Sequence, residues 1–344
     1  MPGAQAALRR RAGTALQREG MRMKALVVSD FERTPEWTDF AEPVPGEGEV
    51  LVHVTAAGLS NLARMQASGR HYASPTAVPF VAGIDGVGRL DDGSRVYFFA
   101  GRRPFGAFAL RSIAPAELCV PVPADVSDIT AASIANAAMS SWAALIQRAA
   151  IQPGEAVLIN GATGASGSLA VKIARHLGAG KVIVTGRNPD VLAKLTATGA
   201  DEVIPLTLPP EELAREFRRS IESNGIGIVL DYLWGASSEA ILKAVEALGR
   251  RHAAPAIRFV QIGSISGHTI TFPAAVLRST GLQVMGSGLG SVSDRELVAD
   301  IGAAFKVATK LGLTVGVSPI PMAEGAAAWA QGGSRSERMV FTLD

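Results

Sequence analysis

The stretch from Ala156 to Gly178, AVLINGATGASGSLAVKIARHLG, constrains this chain more than any other. A short apolar run, Ala156 to Ile159, is followed by Gly161, Gly164 and Gly167 at three-residue intervals. Leu169, Ile173 and Leu177 then recur at helical spacing up to Gly178, so the order reads strand, glycine turn, helix. A dinucleotide's pyrophosphate needs backbone N–H groups at a helix N-terminus with no side chain in the way, and that is the demand this order of residues meets. The spacing is G-x-x-G-x-x-G rather than G-x-G-x-x-G, so the context carries the reading. Candidate cofactor contacts are Gly161, Ala162, Thr163, Gly164, Ala165, Ser166 and Gly167.

The second strand of such a unit decides which dinucleotide is preferred. NAD-binding forms place a carboxylate about 20 residues beyond the glycines, where it accepts hydrogen bonds from the ribose 2'-hydroxyl. Here the strand Lys181 to Thr185 exits through Gly186, Arg187 and Asn188, with no acid. A carboxylate would repel a 2'-phosphate, whereas a guanidinium can clamp one. These residues point to NADPH, with Gly186 leaving room and Arg187 making the contact; the alternative is a solvated surface arginine.

At 344 residues, 48% of them of hydrophobic type, the chain can fill two cores. A net charge of +2 with no basic block beyond the N-terminal arginines gives no nucleic-acid footprint. The single cysteine, Cys119, excludes an internal disulfide and a cysteine-rich zinc site, and reads as a buried small hydrophobe. No apolar run reaches 18 residues, so no membrane span is expected and a cytoplasmic location is the default. Residues 1–22, with five arginines and one acid, read as a disordered extension ahead of a start at Met21 or Met23, the alternative being a transit peptide.

Two textures follow. From Met23 to about Val126, short apolar runs such as KALVVSD, EVLVHVTAAG and RVYFFAG are broken by Gly and Pro, an antiparallel β pattern. From about Ile129, strands at 157–160, 182–185, 202–204, 228–232, 258–262 and 283–286 alternate with helices such as 189–198 and 211–222, which implies a doubly wound parallel sheet. A helix is expected over 293–311, and the chain ends in a strand-like MVFTL.

These residues resemble the medium-chain dehydrogenase/reductase superfamily from Met23 onward, and within it the zeta-crystallin-like quinone oxidoreductases. The likeness rests on AAGLSNLARMQASGRHY, NGATGASGSLAVKIARHLGA and QIGSISG. It implies a GroES-like β-rich catalytic domain, residues 23–128 and 289–344, and a Rossmann NADPH-binding domain, residues 129–288. It also implies a homodimer, for which the apolar edge 282–286 is a second argument. By the same resemblance Ile262, Gly263 and Ser264 lie along the nicotinamide, and Asn136 and Ser140 approach its ribose; packing is the alternative for that helix, most of all for Met139.

Zinc members of the superfamily take metal ligands at the positions that read Ser60 and Ile84 here, and their proton-relay hydroxyl falls on Leu62. Neither Ser60 nor Ile84 is an ordinary zinc ligand, and Asp85 alone cannot hold the ion. Without a Lewis acid the substrate must already be electron-poor, a quinone or an α,β-unsaturated carbonyl. Hydride transfer would build charge on its oxygen, and candidate donors to that oxygen are Ser60, Asn61 and Tyr72. Each also reads as a turn-stabilising or half-buried residue. None of the five histidines has metal-ligand spacing or a catalytic setting. A short-chain dehydrogenase is excluded because no tyrosine has a lysine four residues on. A non-catalytic NADPH sensor remains as the alternative function.

Overall fold

The computed structural model describes residues 20–99, 101–249, 256–332 and 337–343. The expected N-terminal extension lies outside them up to residue 19. The chain packs as two compact units, residues up to 136 with 314 onward, and residues 137–313.

The first unit is β-rich. It holds β1 (Arg22–Val28), β2 (Glu36–Ala41), β3 (Glu49–Gly58), β4 (Phe80–Val81), β5 (Asp85–Arg89), β6 (Arg95–Phe99), β7 (Arg111–Pro115) and β8 (Cys119–Pro121), with the short helix α1 (Asn61–Ala67) after β3. Helix α2 (Asp128–Ala143) begins in this unit and ends in the next. Six parallel strands follow, β9 (Ala156–Asn160), β10 (Lys181–Gly186), β11 (Glu202–Pro205), β12 (Ile226–Asp231), β13 (Arg258–Gln261) and β14 (Gln283–Gly286). The helices among and after them are α3 (Ala165–His176), α4 (Pro189–Ala197), α5 (Pro210–Asn224), α6 (Ala236–Gly249), α7 (Ala274–Ser279) and α8 (Asp294–Leu311). The chain then returns to the first unit through β15 (Val317–Pro321), α9 (Gly325–Gln331) and β16 (Arg338–Thr342), where β16 pairs antiparallel with β3, Val340 opposite Gly58.

Local sequence accounts for these elements. Strands β9 and β10 are buried on both faces apart from Lys181, as continuous apolar runs in a helix-covered parallel sheet must be. In α5 the buried Leu213, Phe217 and Ile221 recur every four residues, and Gly225 ends the helix in the left-handed region at φ +62°. Helix α8 starts at a capping box, Ser293 with Glu296, and buries Leu297, Ile301, Ala304, Phe305 and Ala308.

The strand order of the parallel sheet is β11-β10-β9-β12-β13-β14. With β9 as the first strand, this is the dinucleotide-binding order 3-2-1-4-5-6.

Three features differ from expectation. The unit edges fall at 136 and 313 against the expected 128 and 288: α2, which starts at Asp128, is shared between the two units, and α8 packs within the second unit, Gln147 Nε2 donating to Asp300 Oδ1 at 3.1 Å. Residues 128–148 are apolar enough to cross a membrane, yet most of that helix is buried in the protein. Its many Ala residues raise its apolar character, and the Ser and Asn residues among them break the run. Cys119 is half-buried rather than buried.

Candidate functional site

In a sheet of this order the chain reverses direction between β9 and β12, and the loops leaving their carboxyl ends border a crevice. The loops there are 161–164, 232–235 and, from the neighbouring strand, 262–264.

The first loop is a glycine turn in which each glycine serves a different purpose. Gly161 has φ +94°, and a Cβ there would sit 2.8 Å from the side chain of Leu233. At Gly167, in the first turn of α3, a Cβ would come 2.7 Å from Ala162 Cα and closer still to the Gly161 carbonyl oxygen. The helix can approach its own turn only without a side chain there. Gly164 is different: φ −86° and ψ 168° suit any residue, and a Cβ would meet only Gly161 O at 3.9 Å. The space in front of it is open.

That space lies at the N-terminus of α3, where no side chain caps Gly164. Elsewhere in the unit, α4 is capped by Asn188 and α8 by Ser293. The N–H groups of Ala165, Ser166 and Gly167 face a position that a phosphate would fill, with the helix dipole favouring its charge. Ala162 is buried and Thr163 half-buried. The turn therefore fits a dinucleotide pyrophosphate.

At the exit of β10, Arg187 is exposed and makes no hydrogen bond or ion pair with the described residues. Gly186 is buried, and its missing side chain makes room for the Thr163 methyl group rather than for a ligand, a different reason from the one expected. Asn188 Oδ1 accepts from Asp190 N at 3.0 Å and Val191 N at 3.2 Å, so its side chain is committed to starting α4.

Below the loops lies a buried polar network that sequence reasoning missed. Asn160, Thr185 and Asp231 are the carboxyl-end side chains of three adjacent strands, all fully buried. Thr185 Oγ1 donates to Asn160 Oδ1 at 2.8 Å, and Asn160 Nδ2 donates to Asp231 Oδ1 at 2.8 Å and to Ser237 Oγ at 2.9 Å. Ser238 Oγ donates to Asp231 Oδ2 at 2.7 Å. Burial pushes the Asp231 carboxyl above the usual carboxylate range, against the opposing pull of Ser238, the Leu233 and Trp234 amides and Asn160. A signal was legible: VLIN, VIVT and IVLD each close an apolar strand on one polar residue.

The loop 262–264 hangs on the same strand end, since Asp231 O accepts from Ile262 N at 2.8 Å and Gly263 N at 3.1 Å. A Cβ on Gly263 would meet Tyr232 O at 2.7 Å. Ser264 is half-buried and Ile265 beyond it is 72% exposed.

Between Ala131 and Leu145 of α2 and its continuation, every residue is buried except Asn136 and Ser140. These two lie one turn apart on one face, which leaves them as the openings in an otherwise packed helix. Met139 is buried, in keeping with packing. Ser140 Oγ donates to Ala137 O at 2.8 Å, and the next residue, Ser141, meets the buried Tyr232 hydroxyl at 2.8 Å.

In the first unit, Ser60 is the buried N-cap of α1, its Oγ accepting from Ala63 N at 3.1 Å. Asn61 opens the helix and is exposed. Tyr72 follows in the loop after α1, 75% exposed, its ring 4.0 Å from that of His71. Ser60 and Asn61 thus adjoin, and Tyr72 stands on a separate loop. Ile84 is buried; beside it Asp85 is fully buried, accepting from Tyr97 Oη at 3.1 Å. Among the described residues no three of His, Cys, Asp and Glu cluster as metal ligands do.

Comparison with known proteins agrees with this architecture. Residues 165–304 match the family described as zinc-binding dehydrogenase, a span within the nucleotide unit that includes neither Ser60 nor Ile84. The probable NADPH-dependent quinone reductase tdiC of Emericella nidulans is 28% identical over 92% of this chain and 99% of its own length. A mycocerosic acid synthase-like polyketide synthase of Mycobacterium tuberculosis is 31% identical over 88% of this chain, which spans 14% of that protein. The quinone oxidoreductase of Thermus thermophilus, solved also with NADPH, superposes with a TM-score of 0.76 at 27% identity, covering 93% of this chain and 100% of that one. The fold is a GroES-like domain joined to a Rossmann domain. In sequence and fold the chain is thus similar, over nearly its whole length, to quinone oxidoreductases of the medium-chain dehydrogenase/reductase type.

Proposed function

We propose that the protein is an NADPH-dependent oxidoreductase that reduces a quinone or an α,β-unsaturated carbonyl without a metal ion. The observation that carries this reading is the uncapped, side-chain-free N-terminus of α3 at the sheet's reversal point, with an unpaired Arg187 at the next strand exit. The pyrophosphate would rest on the amides of residues 165–167, and Arg187 would hold the 2'-phosphate. The loop 262–264 and the Asn136 and Ser140 face would flank the nicotinamide and its ribose. When bound, NADPH supplies hydride to the electrophilic carbon of the acceptor. Asn61 and Tyr72 would donate hydrogen bonds to the acceptor oxygen as charge builds on it, and Ser60, whose oxygen already caps α1, keeps its own proton to donate.

Ser60 and Ile84 at the positions of zinc ligands leave no Lewis acid to polarise an unactivated carbonyl or alcohol, which is why an electron-poor acceptor is favoured. The chemistry is tested by NADPH consumption with 1,4-benzoquinone, 9,10-phenanthrenequinone and a small enone, before and after chelator treatment. Turnover unaffected by chelation is expected. Loss of turnover with loss of a stoichiometric metal would overturn the metal-free mechanism, and NADPH binding without turnover of any acceptor would leave a cofactor-binding sensor. The strand β14, with Val284 exposed on the sheet edge, would pair with a second copy to form a homodimer.

A further inference from the structure

Asp231 is an expensive residue to keep where it is. Its carboxylate is fully buried, and no lysine or arginine ion-pairs with it among the described residues. A buried charge without a counter-ion is held by hydrogen bonds alone. Its donors are informative. Oδ1 accepts from Leu233 N at 3.0 Å and Trp234 N at 3.3 Å as well as from Asn160, and Oδ2 accepts from Ser238 Oγ. A carboxylate offers a lone pair to each of these four donors in one place.

Several of these bonds lead to loops at the crevice. Through Asn160 the carboxylate holds Thr185, whose Oγ1 accepts from Gly161 N at 3.0 Å and whose carbonyl accepts from Ala162 N at 2.8 Å, so the glycine turn is set. Directly, it folds the 232–235 loop back on its own strand, which puts Leu233 in the space that Gly161 leaves. Its main-chain carbonyl carries Ile262 and Gly263. Three loops that are far apart in sequence therefore meet at one buried residue, two through its carboxylate and one through its main-chain carbonyl.

We infer that Asp231 is a positioning residue whose carboxylate, directly and through Asn160 and Thr185, presets the glycine turn and the 232–235 loop before any ligand arrives. This rests on the dinucleotide reading above and adds to it the residue that shapes the site without touching the ligand. Preorganisation of this kind acts on affinity, because a loosened site must be reordered at the moment of binding.

The test compares Asp231→Ala with Asp231→Asn in the full-length protein. Asparagine keeps one oxygen for Leu233, Trp234 and Asn160, and its amide can donate to Ser238 in place of accepting. Hydrogen exchange without ligand should quicken in segments 161–164 and 232–235 together in the alanine variant, more than in 262–264, whose bonds to the main-chain carbonyl of residue 231 remain, and stay near wild type in the asparagine variant. The NADPH dissociation constant should rise roughly tenfold or more in Asp231→Ala and stay within about threefold of wild type in Asp231→Asn, with kcat at saturating NADPH little changed. Thr185→Val, nearly isosteric, serves if Asp231→Ala fails to fold: it should quicken exchange in 161–164 alone. Exchange confined to one loop in Asp231→Ala, uniform loosening of the whole unit, or an asparagine variant as impaired as alanine would overturn the inference. A wild type that does not bind NADPH would defeat the functional reading, while the ligand-free exchange pattern would still decide the role of Asp231.

Discussion

Gly164 and Gly167 stand three residues apart in one turn, yet their replacement by alanine should have opposite effects on stability. A methyl at Gly167 would press on backbone, 2.7 Å from Ala162 Cα, and backbone cannot swing aside as a side chain can. Overpacking of this kind costs ~1–3 kcal/mol. For a unit of this size each kcal/mol moves Tm by ~2–4 °C, so a fall of ~2–12 °C is expected for Gly167→Ala. At Gly164 the backbone is already extended and the nearest atom to a new Cβ is 3.9 Å away. Reduced freedom of the unfolded chain then stabilises by ~0.4–1 kcal/mol, a rise of ~1–4 °C. The same methyl would stand where the pyrophosphate approaches the α3 amides, and NADPH affinity should fall at least about tenfold, ~1.4 kcal/mol. Thermal unfolding followed by circular dichroism and NADPH titration by calorimetry measure the two effects. A Gly164→Ala variant that binds NADPH as wild type does would refute the placement of the phosphates, and a shift of both variants in the same direction would refute the steric account.

Further expectations concern other parts of the molecule. Arg187→Ala should weaken NADPH binding roughly ten- to a hundredfold and leave NADH binding unchanged, since the lost contact is one charge-assisted phosphate bond; equal wild-type affinities for the two cofactors would contradict it. Tyr72→Phe and Asn61→Ala should each lower kcat by roughly ten- to a thousandfold with little change in NADPH affinity, and unchanged turnover in both would move the donor role elsewhere. Burial pushes the Asp85 carboxyl up to about 6 from 3.8, so the folded state keeps a proton that the unfolded chain has lost between those values. The stability this group contributes is present below about pH 4 and is lost as pH rises through about 6, and Asp85→Asn should flatten that part of the Tm profile. The Cys119 thiol is pushed up to about 11 by burial, leaving roughly one molecule in several thousand ionised at pH 7.5; native protein should react slowly with a disulfide reagent, and labelling within seconds would disprove it.

Much of the molecule was legible in the order of its residues, because periodicity and turn chemistry are local. The strands at 157–160, 182–185 and 283–286 and the helices at 189–198 and 293–311 are found within a residue or two of those limits, since each carries its own apolar run, its own cap and its own stop. The glycine turn was legible for the same reason: Gly161 and Gly167 are required by contacts within or near their own turn. The family likeness of the chain was legible in three short motifs.

What a residue does for its neighbours in space was decided by the tertiary structure. Gly186 could be seen as space for a phosphate until Thr163 was found filling it, and the two lie on consecutive strand exits that only the sheet brings together. Ser60 could be seen only as a candidate oxyanion donor, and the fold adds that its oxygen also accepts the Ala63 amide and so caps α1. Asn160, Thr185 and Asp231 are single polar residues in separate apolar runs, and each alone looks like the end of a strand. The sheet order β10-β9-β12 makes them neighbours, because β9 pairs with a strand that lies two crossovers beyond β10 in the chain. Hydrophobic pattern tells each segment which face to bury, but the pairing of segments distant in sequence is a property of the whole sheet, and the anchor beneath the cofactor loops exists only once that sheet has formed.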